Sequence, residues 1–467
     1  MSEFVQALRA LVGEAGLLCG GDLSAYELDW RRRFPGRALA VASPATTHEV
    51  AAVVKLCVAH GVAMVPQGGN TGLVGGSTPD ATGAQLVLSL RRMNQVRGVD
   101  AANLTLTVEA GCVLQAVQAV AAESGLLFPL SLAAQGSCTI GGNLASNAGG
   151  TQVLRYGNAR ELCLGLEVVT ASGEIWNGLS GLRKDNTGYD LRNLFIGSEG
   201  TLGVITAATL KLYAQPQAQM TALAACASLE AALELLRLAQ QRAQASLTGF
   251  EVMNAFSLAL LSKHFPQMQQ PLGGSAWTVL LELSDAESEL HAKALFEGLL
   301  EAALEAGVIS DAAVAASHAQ AQAMWHLRES IPLAQAQEGL NVKHDIALPV
   351  SAIPNFAAAT DLALEAAFPG VRLVNFGHLG DGNLHYNVQA PEGVEPQAFL
   401  SRHEAAINAI VYDAVAVHGG SFSAEHGIGQ LKRAELAARK DPVALQMMHS
   451  IKKALDPQGL MNPGRLL

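Results

Sequence analysis

The sequence lacks any stretch that is long and apolar enough to cross a membrane. Half of its 467 residues are hydrophobic, yet no run approaches the ~18 uninterrupted apolar residues that a spanning helix requires. The N-terminal segment also lacks the pattern of a targeting sequence, because Glu3 precedes the first arginine and Glu14 interrupts the apolar part. These absences predict a cytoplasmic protein that does not span a membrane.

Cysteine pairs and basic clusters are missing as well. The 6 cysteines are scattered over the first half of the chain and form no CxxC pair, which predicts reduced, mostly buried thiols. The formal net charge is -11, and no cluster of lysine or arginine offers the basic face that nucleic acid binding needs. We therefore expect no nucleic acid partner, and an anionic substrate must be held by a few local cations.

Length and the distribution of secondary-structure signals predict an α+β protein of more than one domain. A chain of 467 residues exceeds the size at which one hydrophobic core stops growing. Short β-like runs alternate with small amphipathic helices over residues 38–216, and longer helices with a few strand candidates occupy residues 217–420. A C-terminal helical segment, 421–467, follows. Within the first region, Thr46 and Glu49 have the spacing of a capping box at the start of a helix.

Three glycine-rich segments occur in the first domain. They read VPQGGNTGLVGGSTP (65–79), GSCTIGGNLASNAGG (136–150) and GSEGTLG (197–203). Glycine accepts positive φ and lacks Cβ, so successive amides of such a loop can surround a pyrophosphate. Neither a Walker A motif nor the G-x-G-x-x-G dinucleotide fingerprint is present. A single loop of this kind is about as often a mobile surface loop as a ligand-binding loop. Several such loops in one domain favour a phosphate-bearing ligand.

The order of these segments resembles a known flavoprotein family. Together with LRYGN, LRKDNTGYDLR and LFIGSEGTLGVIT, they are similar to the PCMH-type FAD-binding domain of the vanillyl-alcohol oxidase superfamily, and most of all to D-2-hydroxyglutarate and D-lactate dehydrogenases. The resemblance covers nearly the whole chain. It implies an FAD-binding domain in two parts, then a substrate-binding cap domain, then a C-terminal segment that returns to the flavin. It also implies oxidation of a D-2-hydroxy acid to the 2-oxo acid.

The resemblance further implies which residues hold FAD. The amides of residues 67–72 would bind the pyrophosphate, the second segment would line the ribityl and isoalloxazine portion, and Gly200 and Ile205 would lie nearer the adenosine. The implied set is Pro66, Gln67, Gly68, Gly69, Asn70, Thr71, Gly72, Gly75, Gly76, Gly136, Ser137, Gly141, Gly142, Asn143, Ser146, Asn147, Gly200, Ile205 and Asn462. Some members tether flavin through His or Cys. Neither occurs between Val65 and Pro79, so we expect non-covalent FAD.

Two histidines flank a predicted turn in the second domain. In VRLVNFGHLGDGNLHYNV, residues 371–388, the Asp-Gly pair at 381–382 is a strong two-residue hairpin signal. Counting outward from that turn places His378 directly opposite His385, with Cβ atoms ~5 Å apart. Strand alternation places Asn387 on the same face. This geometry suits a chelated metal ion, although two histidines can also pack across a hairpin without one.

Glu425, in SFSAEHGIGQ, completes a candidate metal site. Two histidines and one carboxylate suit Zn²⁺, Mn²⁺ or Fe²⁺ with positions left open for a ligand, and zinc is our first expectation. In the family that the chain resembles, the residues matching His378, His385 and Glu425 carry the metal. The residue matching His426 lies close to the substrate hydroxyl, which makes His426 the expected general base. The same ligands would also fit a non-haem iron oxygenase, which leaves the glycine-rich segments unexplained.

Arg328 and Lys343 are the candidate cations for an anionic substrate. Arginine offers a planar fork for bidentate carboxylate binding and lysine a point charge, although either residue can be an ordinary surface charge. The resemblance assigns the matching residues to the substrate carboxylates, together with a threonine whose position Pro332 occupies here. Because of this departure, the sequence supports the D-2-hydroxy acid class of substrates more strongly than it supports D-2-hydroxyglutarate in particular. D-Lactate and glycolate stay as alternative substrates.

No feature of the sequence would reoxidise a reduced flavin internally, because CxxC ligands, a haem motif and a nicotinamide fingerprint are all missing. An external acceptor is therefore expected. The resemblance implies an electron-transfer flavoprotein or a quinone-linked carrier. The alternative is a role as the flavin-bearing subunit of a glycolate-oxidising complex. Related enzymes are often homodimers.

Overall fold

The computed structural model describes residues 3–467, which form two compact units. The first unit contains the described residues up to Gly150, together with Gly157–Gln215 and Glu425–Leu467. The second contains Thr151–Tyr156 and Pro216–Ala424.

Nineteen strands occur in the described residues. In chain order they are β1 Leu17–Leu18, β2 Ala38–Ala42, β3 Met64–Gln67, β4 Gln85–Ser89, β5 Val96–Asp100, β6 Thr105–Glu109, β7 Leu126–Leu127, β8 Cys163–Thr170, β9 Ile175–Gly178, β10 Gly203–Lys211, β11 Tyr213–Ala214, β12 Ala218–Cys226, β13 Leu247–Asn254, β14 Trp277–Asp285, β15 Asp311–Val314, β16 Asn341–Val342, β17 Asp345–Ala347, β18 Arg372–His378 and β19 Asn383–Gln389.

Fifteen α-helices occur in the same part of the chain. They are α1 Glu3–Val12, α2 Ser24–Glu27, α3 Thr47–His60, α4 Leu114–Glu123, α5 Ile140–Ala145, α6 Val153–Tyr156, α7 Arg192–Phe195, α8 Leu229–Ala243, α9 Ala255–His264, α10 Glu289–Glu305, α11 His318–Glu338, α12 Ile353–Ala367, α13 Pro396–Val417, α14 Arg433–Arg439 and α15 Pro442–Leu455. The mixture of helices and mostly antiparallel sheets is the α+β class that the sequence predicts.

The first unit contains a four-stranded sheet in the order β1-β2-β4-β3, in which β2, β4 and β3 run parallel. Helix α3 connects β2 to β3, the two strands on either side of β4, because strands that run parallel in one sheet need a crossover connection. Strand β4 is buried along its whole length, as its apolar sequence requires. The C-terminal tail adds to this sheet: the N–H of Met64 donates to the Leu460 carbonyl and the N–H of Asn462 donates to the Met64 carbonyl, both at 2.8 Å.

A five-stranded antiparallel sheet, β5-β6-β10-β8-β9, completes the main β structure of the first unit, with a two-stranded ribbon of β11 and β7. Its hairpin between β8 and β9 turns at Gly173, whose φ is +78°. The side chains of the two long strands β8 and β10 are almost entirely buried. Strand β8 lies between the second and the third glycine-rich segments, and β10 begins at the last residue of the third.

The second unit is built on one eight-stranded antiparallel sheet. Its order is β15-β12-β14-β13-β18-β19-β16, with β17 also paired to β19. Helices α8, α10, α12 and α13 pack on one face, and α9 and α11 pack on the other. Both faces are therefore apolar: along β12, Ala222 and Ala224 point to the first core and Leu223 and Ala225 to the second. A polar side chain within this sheet must find a specific partner.

None of the helices within residues 3–467 combines the length and the apolar character that a membrane span requires. The 6 cysteines are unpaired, and 5 of them are buried.

We expect Thr46→Ala to weaken the first unit. The Thr46 hydroxyl accepts a hydrogen bond from the N–H of Glu49 at 3.1 Å and so caps α3. Loss of such a cap costs about 1 kcal/mol. Urea unfolding followed by circular dichroism should show this loss, whereas Thr46→Ser should unfold like the wild type. Equal stability of the Ala variant and the wild type would contradict the capping role.

Candidate active site

A cavity in the first unit forms where the three glycine-rich segments meet. Lining residues from 66–77 include the last two residues of β3 and the loop after it, and Leu90 follows β4. Because these strands are parallel, both ends lie at the same edge of the sheet. Residues from 138–146 and 198–205 supply most of the remaining wall, and His426 from the C-terminal segment completes it. Segments that are far apart in the sequence therefore surround one space.

The backbone of the first segment is prepared to bind an anion. In the described chain, the N–H groups of Gly68, Gly69 and Gly72 donate to no protein acceptor. Asn70 adopts a φ of +57°, and its side-chain oxygen accepts a hydrogen bond from the Ser77 hydroxyl at 2.8 Å, which holds the loop in shape. Amides without protein acceptors need an acceptor from solvent or a ligand. Phosphate oxygens fit that need.

The first two segments approach each other more closely than any side chain would allow. A Cβ atom on Gly69 would lie 2.2 Å from the carbonyl oxygen of Ser137, and one on Gly68 would lie 2.3 Å from the Thr139 hydroxyl. A Cβ atom on Gly141 would lie 2.7 Å from the Cβ of Ala110. A side chain at any of these three positions would therefore disturb the local packing.

The cavity gathers most of the residues expected to hold FAD. Those that line it are Pro66, Gln67, Gly68, Gly69, Asn70, Thr71, Gly72, Gly76, Gly141, Gly142, Asn143, Ser146, Gly200 and Ile205. Those expected residues that do not line it are Gly75, Gly136, Ser137, Asn147 and Asn462. Asn462 instead supports the wall from behind, because its side-chain amide donates to the carbonyl oxygens of Gly76 and Glu199 at 2.9 and 2.7 Å.

Glu199 is a wall residue that the sequence analysis missed. Its carboxylate accepts hydrogen bonds from the N–H groups of Ile428 and Gly429, each at 2.7 Å. Burial raises the pKa of Glu199, and these two donors oppose that rise. The bonds tie the third glycine-rich segment to the loop that carries His426. The signal available in the sequence was a single acid inside the glycine-rich stretch GSEGTLG.

Cys138 is a second wall residue outside the expected set. Burial raises the pKa of its thiol, and the side-chain amide of Asn143 donates to its sulfur at 3.5 Å. The thiol is therefore protonated at neutral pH and is a weak nucleophile.

The histidine hairpin of the second unit has a different register from the predicted one. His378 pairs with Asn383, and His385 pairs with Phe376, so the prediction that the two histidines are directly opposite is wrong. The turn is longer than two residues, because the N–H of Gly382 bonds back to the His378 carbonyl at 3.1 Å. The shift amounts to two residues, which preserves the face. The two rings are consequently still neighbours, with centroids 5.6 Å apart.

A buried carboxylate on β13 holds two of the expected site residues. Glu251 contacts Nδ1 of His378 at 2.6 Å and accepts a hydrogen bond from Nε of Arg328 at 2.8 Å. Burial alone would raise the pKa of Glu251, but His378 and Arg328 outweigh burial and lower it to about 2. Glu251 was not among the residues predicted from the sequence. Its signal was a lone acid in the apolar run LTGFEVMN.

The other residues of the second unit that were considered for substrate binding lie in different structural environments. Asn387 is buried, where its side-chain oxygen accepts from the N–H of His344 and its amide donates to Gln335, both at 3.1 Å. Lys343 lies between β16 and β17, the two short strands that pair with β19. Pro332 lies inside α11, one turn after Arg328, where it cannot donate to the Arg328 carbonyl.

The remaining expected site residues divide between the units. His426 and Glu425 belong to the first unit, whereas His378, His385, Arg328, Lys343 and Asn387 belong to the second.

Comparison with known proteins agrees with this architecture. Residues 38–178 match the family described as "FAD binding domain", and residues 215–466 match "FAD linked oxidases, C-terminal domain". A D-2-hydroxyglutarate dehydrogenase from Xanthomonas citri pv. viticola is 41% identical over 446 residues, which cover 95% of this chain and 92% of that protein. A putative mitochondrial D-lactate dehydrogenase from Schizosaccharomyces pombe is 36% identical over 477 residues, covering 98% and 89%.

A solved structure shares the fold. p-Cresol methylhydroxylase with substrate bound superposes with a TM-score of 0.75 at 17% identity, covering 99% of this chain and 96% of that one. The predicted PCMH-type α+β fold is thereby confirmed. With both halves of the chain matched and relatives of this identity along nearly its full length, the protein belongs to the FAD-linked oxidase family and is an FAD-dependent oxidoreductase.

Proposed function

We propose that this protein is an FAD-dependent, metal-assisted D-2-hydroxy-acid dehydrogenase and that D-2-hydroxyglutarate is its best substrate. The observation that carries the proposal is that His426 lines the same cavity as the glycine-rich segments. A base therefore lies beside the space suited to a phosphate-bearing cofactor. The name of the Xanthomonas citri relative supports the choice of substrate.

FAD would bind in this cavity through the first two glycine-rich segments, with its pyrophosphate at the amides of Gly68, Gly69 and Gly72. Bound FAD supplies the acceptor for a hydride from substrate. We infer non-covalent attachment. Burial keeps the Cys138 thiol protonated, and the amide of Asn143 already contacts its sulfur.

His426 would act as the general base. An imidazole that is neutral near pH 7 can accept the proton of the substrate 2-hydroxyl as the C–H bond breaks. The bonds from the Ile428 and Gly429 amides to Glu199 hold the loop in which His426 lies, which limits how far the ring can move from the cavity.

His378, His385 and Glu425 are the proposed metal ligands. Two features of the second unit fit a divalent ion. The two imidazoles lie on one face of the hairpin. Because Glu251 contacts Nδ1 of His378, Nε2 of His378 is the nitrogen that would ligate the metal. Zinc is the first choice for this donor set, with manganese or iron as alternatives. A bound divalent ion supplies Lewis acidity, which lowers the pKa of a coordinated hydroxyl.

Arg328 and Lys343 would neutralise the substrate carboxylates. Only Nε of Arg328 has an acceptor among the described residues, so the two terminal nitrogens of its guanidinium can receive a carboxylate. Asn387, which lies on the same face of β19 as His385, would line this region. Pro332 supplies no hydroxyl one turn away, which favours D-lactate as the second candidate substrate. The Schizosaccharomyces pombe relative bears that name.

The electron acceptor would be external, an electron-transfer flavoprotein or a quinone-linked carrier. A cytoplasmic location stays a prediction, since the Schizosaccharomyces pombe relative is named as mitochondrial.

A dye-reduction assay tests the proposed function. The purified protein should show flavin absorbance and should reduce the dye with D-2-hydroxyglutarate but not with its L enantiomer. When the carboxylates and the hydroxyl are held in place, only the D enantiomer directs its C2–H bond toward the flavin. A chelator should abolish the reaction without bleaching the flavin. A higher kcat/KM for D-lactate would move the assignment to the second candidate. Flavin without activity toward any D-2-hydroxy acid would overturn the proposal.

Substitution of the proposed base should slow turnover. His426→Asn should reduce kcat by about 10²- to 10⁴-fold, the usual contribution of a general base, while the flavin-to-protein ratio stays at the wild-type value. His449→Asn, at an exposed position of α15 in the same unit, serves as the matched control and should have wild-type turnover. Unchanged kcat in the His426 variant would rule out this role.

Removal of one proposed metal ligand should cause loss of the metal without loss of the flavin. His385→Ala should lose divalent metal, measured by atomic emission, and activity with it, while its visible spectrum stays that of bound flavin. His291→Ala is the control. That histidine also contacts a residue of the eight-stranded sheet, Asp285 at 2.7 Å, but it is not a proposed metal ligand. A His385 variant that is active and metal-free would contradict the metal-assisted mechanism.

A further inference from the structure

Glu251 lies at the centre of the eight-stranded sheet with its side chain fully buried. It belongs to β13, where every residue except Asn254 is buried, and its neighbours Phe250, Val252 and Met253 are core residues. An isolated carboxylate in such surroundings is strongly unfavourable unless charged or hydrogen-bonding partners compensate for the lost water. Glu251 therefore needs partners, and the structure supplies two.

The two oxygens of Glu251 face different partners. Oε1 contacts Nδ1 of His378 on β18 at 2.6 Å, and Oε2 accepts from Nε of Arg328 on α11 at 2.8 Å. Strand β13 is hydrogen-bonded to β18, and α11 packs over the same face of the sheet. One carboxylate thus joins a strand that carries a proposed metal ligand to a helix that carries a proposed substrate cation.

The contact with His378 selects one form of the imidazole. A carboxylate against Nδ1 requires hydrogen on that nitrogen, so the lone pair of a neutral ring is on Nε2. Carboxylates that hold a ligating histidine in this way orient the ring and raise its basicity.

The contact with Arg328 fixes the plane of the guanidinium. Nε is engaged by Glu251, and the guanidinium carbon lies 4.8 Å from the ring centroid of Phe376, which packs against one side. The two terminal nitrogens make no hydrogen bond to the described residues, and the side chain keeps a small exposed fraction of 7%. The arginine is therefore held in one orientation with its fork available.

We infer that Glu251 is the positioning residue of the active site: one buried carboxylate aligns His378 for the metal and Arg328 for the substrate carboxylate. This inference rests on the proposed function, since it takes His378 as a metal ligand and Arg328 as a substrate cation. Glu251 acts through these two residues and need not touch substrate or flavin.

Glu282 provides a matched control within the same sheet. It lies on the adjacent strand β14, opposite Gly249, and so points to the same face as Glu251. It also contacts α11, through Nε1 of Trp325 at 2.7 Å, but among the described residues it has no histidine or arginine at hydrogen-bond distance. Both glutamates are buried carboxylates under one helix, and only Glu251 connects to the proposed site residues.

The test compares Glu251→Gln with Glu282→Gln in the full-length protein loaded with FAD. An amide at 251 keeps the shape but cannot accept from both partners, so one contact is lost and the other weakened. Three quantities are measured: zinc affinity from competition with a chelator, flavin content, and the KM and kcat for D-2-hydroxyglutarate at saturating zinc. We expect Glu251→Gln to weaken zinc binding by about 10- to 100-fold, as is typical for loss of such an outer partner.

The kinetic expectation is a rise in KM. At saturating zinc, KM should increase roughly tenfold, because Arg328 loses a charge-assisted bond that orients it, while kcat changes much less. Flavin content should equal that of the wild type. Glu282→Gln should leave zinc affinity, KM and flavin content unchanged. Wild-type zinc affinity and KM in Glu251→Gln would overturn the inference, as would equal losses in Glu282→Gln, which would show an effect of burial alone.

A second pair of variants keeps the inference testable if Glu251→Gln does not fold. Arg328→Gln and the double variant Arg328→Gln/Glu251→Gln both lack the arginine, and the double variant leaves no unpaired charge between these positions. Weaker zinc binding in the double variant than in Arg328→Gln isolates the contact with His378, and equal zinc binding overturns it. A wild-type protein that binds no divalent metal would instead overturn the proposed metal site itself.

Discussion

The first unit depends on the backbone just after β3, where the N–H groups of Gly68, Gly69 and Gly72 have no acceptor among the described residues. Strand β3 ends at Gln67, and the chain continues through glycines whose missing Cβ atoms let the second glycine-rich segment pack directly against them. A side chain at Gly69 would collide with the Ser137 carbonyl, so packing and ligand binding impose the same residue. N–H groups of this kind need an acceptor from solvent or a ligand, which agrees with the match of residues 38–178 to an FAD-binding domain.

The second unit obeys a different constraint. Its large sheet is covered by helices on both faces, so every inward position must be apolar unless a partner is provided. The exceptions on the α11 face are therefore informative. Glu251 is satisfied by His378 and Arg328, and Asn387 by His344 and Gln335. Polar groups that a covered sheet retains at such cost have a specific role in orienting one another.

The proposed chemistry divides along these lines. The first unit offers amides for an anionic cofactor and an imidazole, His426, on the wall of the same cavity. The second unit offers neighbouring imidazoles, of which that of His378 is held by Glu251, and a guanidinium held by the same carboxylate; in the proposed function these groups would bind a cation and a carboxylate respectively. Glu199 in one unit and Glu251 in the other have comparable roles. Each carboxylate accepts two hydrogen bonds or contacts that hold neighbouring groups in place: Glu199 holds the amides of Ile428 and Gly429, and Glu251 holds His378 and Arg328.

The sequence by itself determined the α+β class, the glycine-rich segments and the shared face of His378 and His385. These follow from local periodicity and from glycine chemistry, and a register error of two residues leaves a strand's face unchanged. Only the tertiary structure decided the true pairing of His378 with Asn383 and the partners of Glu251, one of which is 127 residues away in the chain. Such contacts depend on which strands become neighbours in the sheet. No local pattern encodes that choice, because it depends on how the whole core packs.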